Sequence, residues 1–177
     1  MALRRLVALG ADGMRSLLYA TDFNNNKIDV FDGSFAPVNL PGAFKDPQLP
    51  AGFAPFGIKN LGGRVVTRGN LNSPWGIAVA PAGFGKFSNR LLVGNFGDGR
   101  INAYDLVSGE FVGRLHGSDG KSLQIQGLWS IGFGNGYVSQ PVNTLFFAAG
   151  PGDEAHGLYG RIDVVHGMEH PHGDDDD

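Results

Sequence analysis

The residues with the clearest chemical potential carry side-chain oxygens and fall at the tips of three similar segments. The predicted metal ligands are Asp22, Asn95, Asp98, Asp153 and Glu154. Ca²⁺ suits such ligands because it binds six to eight oxygens from carboxylates, amides and carbonyls. Asn95 is the best single candidate, since it lies at the end of a predicted strand, and Asp22 occupies the same place one repeat earlier. The alternative interpretation is that Asn, Asp and Gly occur there only because tight turns favour them.

One histidine and two tryptophans are the other candidate functional residues. His156 is the candidate catalytic residue, because an imidazole that titrates near neutral pH can act as a general base. It lies in an insertion that lengthens the third segment, and long loops often carry function; the alternative is a solvated loop histidine. Trp75 and Trp129 are the candidate ligand-binding residues, by stacking. The alternative places each tryptophan in the core between neighbouring sheets.

Composition and motifs exclude several other classes of function. The 177 residues carry a net charge of −3, so no general attraction for nucleic acid is expected. Cysteine is absent, which excludes disulfides and thiolate metal sites. No stretch approaches the roughly 18 apolar residues of a membrane span, and no contact with a membrane is predicted. Neither a serine nucleophile elbow nor a phosphate-binding loop is present.

The elements that must position these residues are short strands joined by tight turns. Glycine accounts for 29 residues, about twice the usual share, and no apolar helical period persists beyond two turns. Three segments share a pattern of strand, polar turn and strand, with apolar alternation typical of half-buried strands. They cover residues 17–32, 91–105 and 145–165.

Two independent landmarks recur at the same spacing. Trp75 and Trp129 lie 54 residues apart in similar surroundings, and the segments that begin at Leu91 and Leu145 are also 54 residues apart. A period near 50 with about four short strands per unit is typical of a propeller blade. The sequence therefore predicts an all-β fold, a partial β-propeller of about three to four antiparallel blades.

The first segment breaks this period. Leu17 precedes Leu91 by 74 residues, which is neither one period nor two, and the middle hairpin of the intervening unit is missing. We therefore predict a truncated blade at about 53–72 within a single partial propeller domain at 1–165. The remaining residues, 166–177, form a His- and Asp-rich tail that we expect to be disordered, with loose binding of Cu²⁺, Ni²⁺ or Zn²⁺ as an alternative.

Several stretches of the sequence, in the same order, resemble those of a known protein family. They include residues 49–56, Leu71-Asn-Ser-Pro-Trp-Gly76, residues 80–85 and Leu92-Val-Gly-Asn-Phe-Gly-Asp-Gly-Arg-Ile-Asn102. The chain resembles a family of uncharacterised bacterial proteins that are predicted to form propellers, similar in style to NHL-repeat and lactonase-type propellers. The resemblance implies the C-terminal half of a protein about twice as long, and a secreted or periplasmic location. The first ten residues themselves read better as a strand than as a signal peptide.

An incomplete ring has consequences for partners. Ring closure removes exposed strand edges, whereas an open arc leaves two. We therefore expect a homo-oligomer that buries the open propeller edges, and a small-molecule ligand is compatible with the fold.

Two hypotheses for function remain open. The first is a non-enzymatic propeller module that binds a ligand or partner on its rim. The second is a Ca²⁺-dependent hydrolase of lactones or related esters, which the resemblance to lactonase-type propellers implies. In that enzyme the metal would polarise the carbonyl, and His156 or an acid would activate water.

Overall fold

Antiparallel strands make up the regular structure. The computed structural model describes residues 7–13, 15–22, 25, 27–41, 44, 58 and 69–165. Over these residues, ten strands form three antiparallel sheets of three or four strands each. The architecture is all-β, a partial β-propeller, which confirms the fold class predicted from the repeat. Of the predicted truncated blade, all but residues 58 and 69–72 lies outside the described residues, as does the tail at 166–177.

The first sheet has the order β1-β2-β3. Its strands are β1 (Val7–Asp12), β2 (Arg15–Asp22) and β3 (Lys27–Phe31). In the β2–β3 pair Thr21 lies opposite Ile28. The chain then turns back along β3, where the Val38 N–H donates to the Val30 carbonyl at 2.8 Å. The first sheet thus has three strands, and a short segment at Pro37 and Val38 pairs with β3 in the place of a fourth.

The second sheet is a complete four-stranded meander in the order β4-β5-β6-β7. Its strands are β4 (Pro74–Val79), β5 (Leu91–Asn95), β6 (Ile101–Tyr104) and β7 (Phe111–Arg114). A single 3-10 turn at Gly85–Phe87 lies between β4 and β5, and no helix of the described residues is long and apolar enough to cross a membrane. An up-and-down meander of four strands is the pattern of a propeller blade.

The third sheet has three strands in the order β10-β9-β8. They are β8 (Leu128–Phe133), β9 (Leu145–Ala149) and β10 (Leu158–Ile162). The segment predicted at 145–165 thus contains β9 and β10, and its last strand ends at Ile162, opposite Leu145, three residues before the predicted end. The β9–β10 loop closes on itself through the hydrogen bond from the Glu154 N–H to the Gly150 carbonyl at 3.2 Å.

The second and third sheets pack face to face around one apolar core. Leu92, Ile101, Leu128 and Leu145 are almost completely buried there. Burial of each such side chain stabilises the fold by about 1.5–3 kcal/mol. At the junction Gly76 of β4 lies against β8, and a Cβ atom at this position would be 2.8 Å from the backbone nitrogen of Ile131. The glycine therefore sets how closely the two blades approach.

Two equivalent aspartates shape the turn that leaves the third strand of each repeat. The Asp105 carboxylate accepts the N–H groups of Val107 and Ser108, each at 2.9 Å, and Asp32 accepts that of Ser34 at 2.9 Å. These hydrogen bonds, from the Ser108 N–H above all, lower the pKa of Asp105. The Ser34 hydroxyl and backbone hydrogen bonds likewise lower the pKa of Asp32. The repeat is thus visible in turn chemistry as well as in strands.

Candidate functional site

A cleft of about 440 Å³ lies between the β5–β6 turn and the β9–β10 loop, two hairpin tips of neighbouring blades. Its size is within the usual range of small-molecule sites, about 300–1,000 Å³. The wall combines carboxylates, amides, one aromatic ring and glycine backbone. The lining residues are Phe96, Gly97, Asp98, Gly99, Gln124, Gln126, Gly127, Gly150, Asp153 and Glu154.

The β5–β6 turn supplies Asp98. The turn closes through the Asn95 N–H to Arg100 carbonyl bond at 2.8 Å, with Gly99 in the left-handed region at φ 68°. The Asp98 carboxylate accepts the Arg100 N–H at 3.1 Å and pairs with its guanidinium at 3.3 Å. Part of this negative charge is therefore neutralised within the turn itself.

The β9–β10 loop supplies Asp153 and Glu154 in an unusual backbone conformation. Both residues have positive φ, 53° and 65°, and both side chains are exposed. Left-handed backbone costs an ordinary residue roughly 1–2 kcal/mol, so other contacts must hold the loop. One of them is the Trp129 indole N–H, which donates to the Glu154 carboxylate at 3.2 Å. This contact fixes one acidic group at the edge of the cleft.

A glycine makes room for an aromatic ring of the third blade at the floor of the cleft. The Trp129 indole lies against Gly150, where a Cβ atom would collide with the ring. Across the junction Trp129 meets Trp75 with ring centroids 6.4 Å apart, and Trp75 also contacts Phe96 at 5.5 Å. The two predicted ligand-binding tryptophans are half-buried and pack on each other between the blades; neither lines the cleft.

Asn95 lies away from the cleft, in a buried polar cluster. Its side-chain amide donates to the Asn70 carbonyl at 2.9 Å, and the Asn102 amide donates to the same carbonyl at 2.8 Å. Arg114 completes the cluster with bonds to Asn70 Oδ1 at 2.9 Å and Asn102 Oδ1 at 3.2 Å. We call Asn70, Asn95, Asn102 and Arg114 the asparagine latch. It fastens the segment that leads into β4 across the middle of the second blade.

Asp22 is also buried and is occupied within its own hairpin. Its carboxylate accepts the backbone N–H of Asn25 at 3.3 Å and the Asn25 side-chain amide at 2.7 Å. This is the side-chain-to-backbone bonding that stabilises tight turns. The described contacts of Asp22 thus place it in a turn of the first sheet and not in the cleft lining.

His156 is exposed in the β9–β10 loop and does not line the cleft. Its backbone N–H donates to the Pro151 carbonyl at 3.3 Å. Of the predicted site residues, the structure therefore brings together Asp98, Asp153 and Glu154. Over the described residues, no three His, Cys, Asp or Glu side chains form a group that could hold a metal ion.

Two glutamines of the cleft were missed by sequence reasoning. Gln124 donates its amide to the Asp98 carbonyl at 3.1 Å, and Gln126 lines the same wall. The signal was present in the repeat, because Gln124 precedes Trp129 by as many residues as Asn70 precedes Trp75. Both residues bond to the second blade, Asn70 to its strands and Gln124 to its β5–β6 turn.

Comparison with known proteins gives relatives without an assigned activity. No protein-family model matches the chain. An uncharacterised protein of Acanthamoeba polyphaga mimivirus is 34% identical over 186 residues, which cover 82% of this chain and 45% of the relative. Two further uncharacterised proteins of the same virus are 31% and 28% identical, over 82% and 64% of this chain and 48% and 29% of the relatives. The chain thus spans less than half the length of each.

A solved structure is also similar. It is the PQQ-bound form of aldose sugar dehydrogenase from Streptomyces coelicolor, with 26% sequence identity and a TM-score of 0.37. The similarity covers 55% of this chain and 26% of the dehydrogenase.

Proposed function

We propose that this protein is a ligand-binding propeller module whose site is the cleft between the second and third blades, and that the ligand is a small organic cation. The observation that carries the proposal is the charge of the lining. Three carboxylates, those of Asp98, Asp153 and Glu154, line the cleft, and none of its described lining residues is basic.

The balance of charge favours a cation over a neutral ligand. Arg100 pairs with Asp98 from outside the lining and offsets one carboxylate. Asp153 and Glu154 add two exposed carboxylates to the lining, and the Trp129 indole that donates to Glu154 is a neutral group. A cleft with walls of one charge concentrates ligands of the opposite charge.

The remaining lining suits an organic cation more than a bare metal ion. The ring of Phe96 offers an aromatic surface, and a cation near the face of such a ring is attracted by its π electrons. Gln124 and Gln126 add amide groups for hydrogen bonds. An ammonium group with a short carbon chain would use all three kinds of contact.

Tryptophan fluorescence tests this proposal directly. The chain has two tryptophans, and Trp129 is hydrogen-bonded to a lining residue, so a ligand in the cleft should change the emission. We expect spermidine to bind saturably and citrate to give no change. Glu154→Gln should weaken spermidine binding roughly fivefold, because one partly exposed charge contact contributes about 1 kcal/mol.

The matched control is Asp119→Asn, which removes an exposed carboxylate outside the cleft lining and should leave spermidine binding unchanged. Sorbitol tests the competing ligand class, a neutral polyol. Equal saturable binding of sorbitol and spermidine, or equal effects of the two variants, would refute the cationic ligand.

The Ca²⁺-dependent hydrolase is the second candidate function. One observation favours it, namely that Asp98, Asp153 and Glu154, three of the five predicted metal ligands, line the same cleft. Ca²⁺ takes six to eight oxygen ligands, more than these side chains offer without backbone carbonyls or water. The test is thermal unfolding with CaCl₂ against EDTA. A melting temperature that does not respond to Ca²⁺ would remove this candidate.

A further inference from the structure

The third sheet has three strands over the described residues, whereas the second sheet has four. In the second blade β7 pairs with the outer edge of β6, whereas β10 is the last strand of the third sheet over the described residues. Two large apolar residues of β10 are accessible, Leu158 at 46% and Tyr159 at 66%. A strand edge with exposed apolar side chains is a template for pairing with another strand.

The residues that follow β10 differ in composition from β7 of the second blade. Residues 166–177 read His-Gly-Met-Glu-His-Pro-His-Gly-Asp-Asp-Asp-Asp. Pro, Gly and Asp are depleted in strands, and Pro lacks the N–H that a ladder needs. In contrast β7, at the equivalent place in the second blade, reads Phe-Val-Gly-Arg. Residues 166–177 therefore differ in composition from the strand that completes the second blade.

The edge of β10 is complementary to itself. When two copies of β10 are placed antiparallel about Gly160, Leu158 lies opposite Ile162 of the other copy. Tyr159, which stacks on Phe146 of its own sheet, then lies opposite Arg161. The Arg161 guanidinium pairs with Asp163 at 2.7 Å, and the aromatic ring attracts that cation. Directly opposed residues of antiparallel strands share a face of the sheet. Both matches therefore form at once, an apolar pair on one face and a ring–cation pair on the other.

The apolar face of this pairing is continuous with the core. Phe147 pairs with Gly160, and its ring lies where a side chain at Gly160 would be. Phe147 and Ile162 both pack against the buried core cluster. Antiparallel pairing of two β10 strands would thus bring the two Phe147 rings to one seam and extend the core across it.

We propose that β10 pairs antiparallel with β10 of a second copy of this chain, centred on Gly160, and that this joins two third blades into one six-stranded sheet. The occupant is a second copy because the edge matches itself residue by residue in that register. The site lies on the outer edge of the blade and does not use the cleft carboxylates.

A charge exchange across the seam tests the register. Sedimentation of the full chain should give twice the chain mass at micromolar concentration. Tyr159→Lys places a lysine opposite Arg161 of the partner copy, and the mass should fall to that of one chain. Combined with Arg161→Glu in the same chain, the lysine faces a glutamate and the dimer should return.

The matched control is Val112→Lys, which puts the same charge on the exposed outer strand β7 of the complete blade and should leave the dimer intact. Far-ultraviolet circular dichroism checks that each variant keeps its strands. A mixture of the Tyr159→Lys chain with an Arg161→Glu chain gives a second route, since only the mixed dimer joins lysine to glutamate.

Three results would overturn the proposal. A wild-type monomer at micromolar concentration would refute the pairing, and protection of its β10 amides from hydrogen exchange would show that other residues of the same chain cover the edge. If Tyr159→Lys and Val112→Lys dissociated the dimer equally, the added charge would act independently of its position, and β10 would not be the interface. A double variant and a mixture that both stay monomeric would rule out the Gly160-centred register.

Discussion

Replacement of Asn95 by aspartate separates a structural role from metal binding, because the two roles predict opposite signs. In the asparagine latch the Asn95 amide donates to the Asn70 carbonyl, and the side chain is fully buried. Asn95→Asp turns that donor into a carboxylate that faces a carbonyl oxygen. A Ca²⁺ ligand, in contrast, would gain charge and bind the ion more tightly.

The magnitude follows from the contacts that are lost. The hydrogen bond to Asn70 is worth about 0.5–1.5 kcal/mol, and a buried carboxylate that faces a carbonyl oxygen costs about a further 1–3 kcal/mol or more, which the Arg114 guanidinium of the latch offsets only in part. We therefore expect Asn95→Asp to lower the free energy of unfolding by about 3 kcal/mol or more at neutral pH. Burial would raise the pKa of the new carboxyl group. Its protonated form can donate to Asn70, so the loss should shrink as the pH falls towards the ordinary Asp value of about 3.9.

Urea unfolding followed by tryptophan fluorescence measures this loss as a change in midpoint at constant slope. Asn135→Asp is the matched control, since Asn135 is exposed and its side-chain oxygen only accepts the Tyr137 N–H at 2.9 Å. Unchanged stability of Asn95→Asp at neutral pH, or a gain of stability in CaCl₂ above that of the wild type, would refute the latch.

Two further predictions concern single groups. The Tyr104 hydroxyl is buried without a hydrogen-bond partner among the described residues, and desolvation raises the pKa of this side chain. Tyr104→Phe should therefore leave the free energy of unfolding unchanged or raise it by up to about 1 kcal/mol, and a loss above 1 kcal/mol in urea would contradict this. The pKa of Asp105 is lowered by the N–H groups of Ser108 and Val107. The stability that Asp105 contributes should be fully present above the ordinary carboxyl pKa and be lost as the pH falls through the lowered value; carbon-13 titration of the carboxyl should show a midpoint below that of an unfolded peptide.

The fold was predictable from the sequence because two landmarks with unrelated chemistry share one spacing. Trp75 and Trp129 lie in the first strands of the second and third sheets, and Leu91 and Leu145 begin the second strands, so the two landmarks support the same period independently. The register of β10 was not predictable. The tripeptide Gly-Arg-Ile occurs at 99–101 and again at 160–162. Ile101 is the first residue of β6, whereas Ile162 is the last residue of β10. The matching tripeptides therefore do not occupy equivalent positions in the two sheets.

The candidate site was predictable only where turn residues face a neighbouring blade. Asp98, Asp153 and Glu154 follow from their place at hairpin tips. Asn95 also lies at a strand end, but its burial depends on Asn70, which is distant in sequence and enters from the preceding segment. Such a contact cannot be predicted from local sequence patterns, because Asn95 and Asn70 are 25 residues apart, whereas a turn involves only neighbouring residues.

The contact of Gly76 with Ser130 and Ile131 has a consequence for how such a protein can diversify. The junction between the second and third blades depends on both of them, because Gly76 of one blade fits against the backbone of Ser130 and Ile131 of the other. A single blade copied into another place would carry only half of this fit. The unit that duplication or recombination must keep intact is therefore the junction between two blades. Gene fragments that fold after transfer should carry the facing strands of both neighbouring blades.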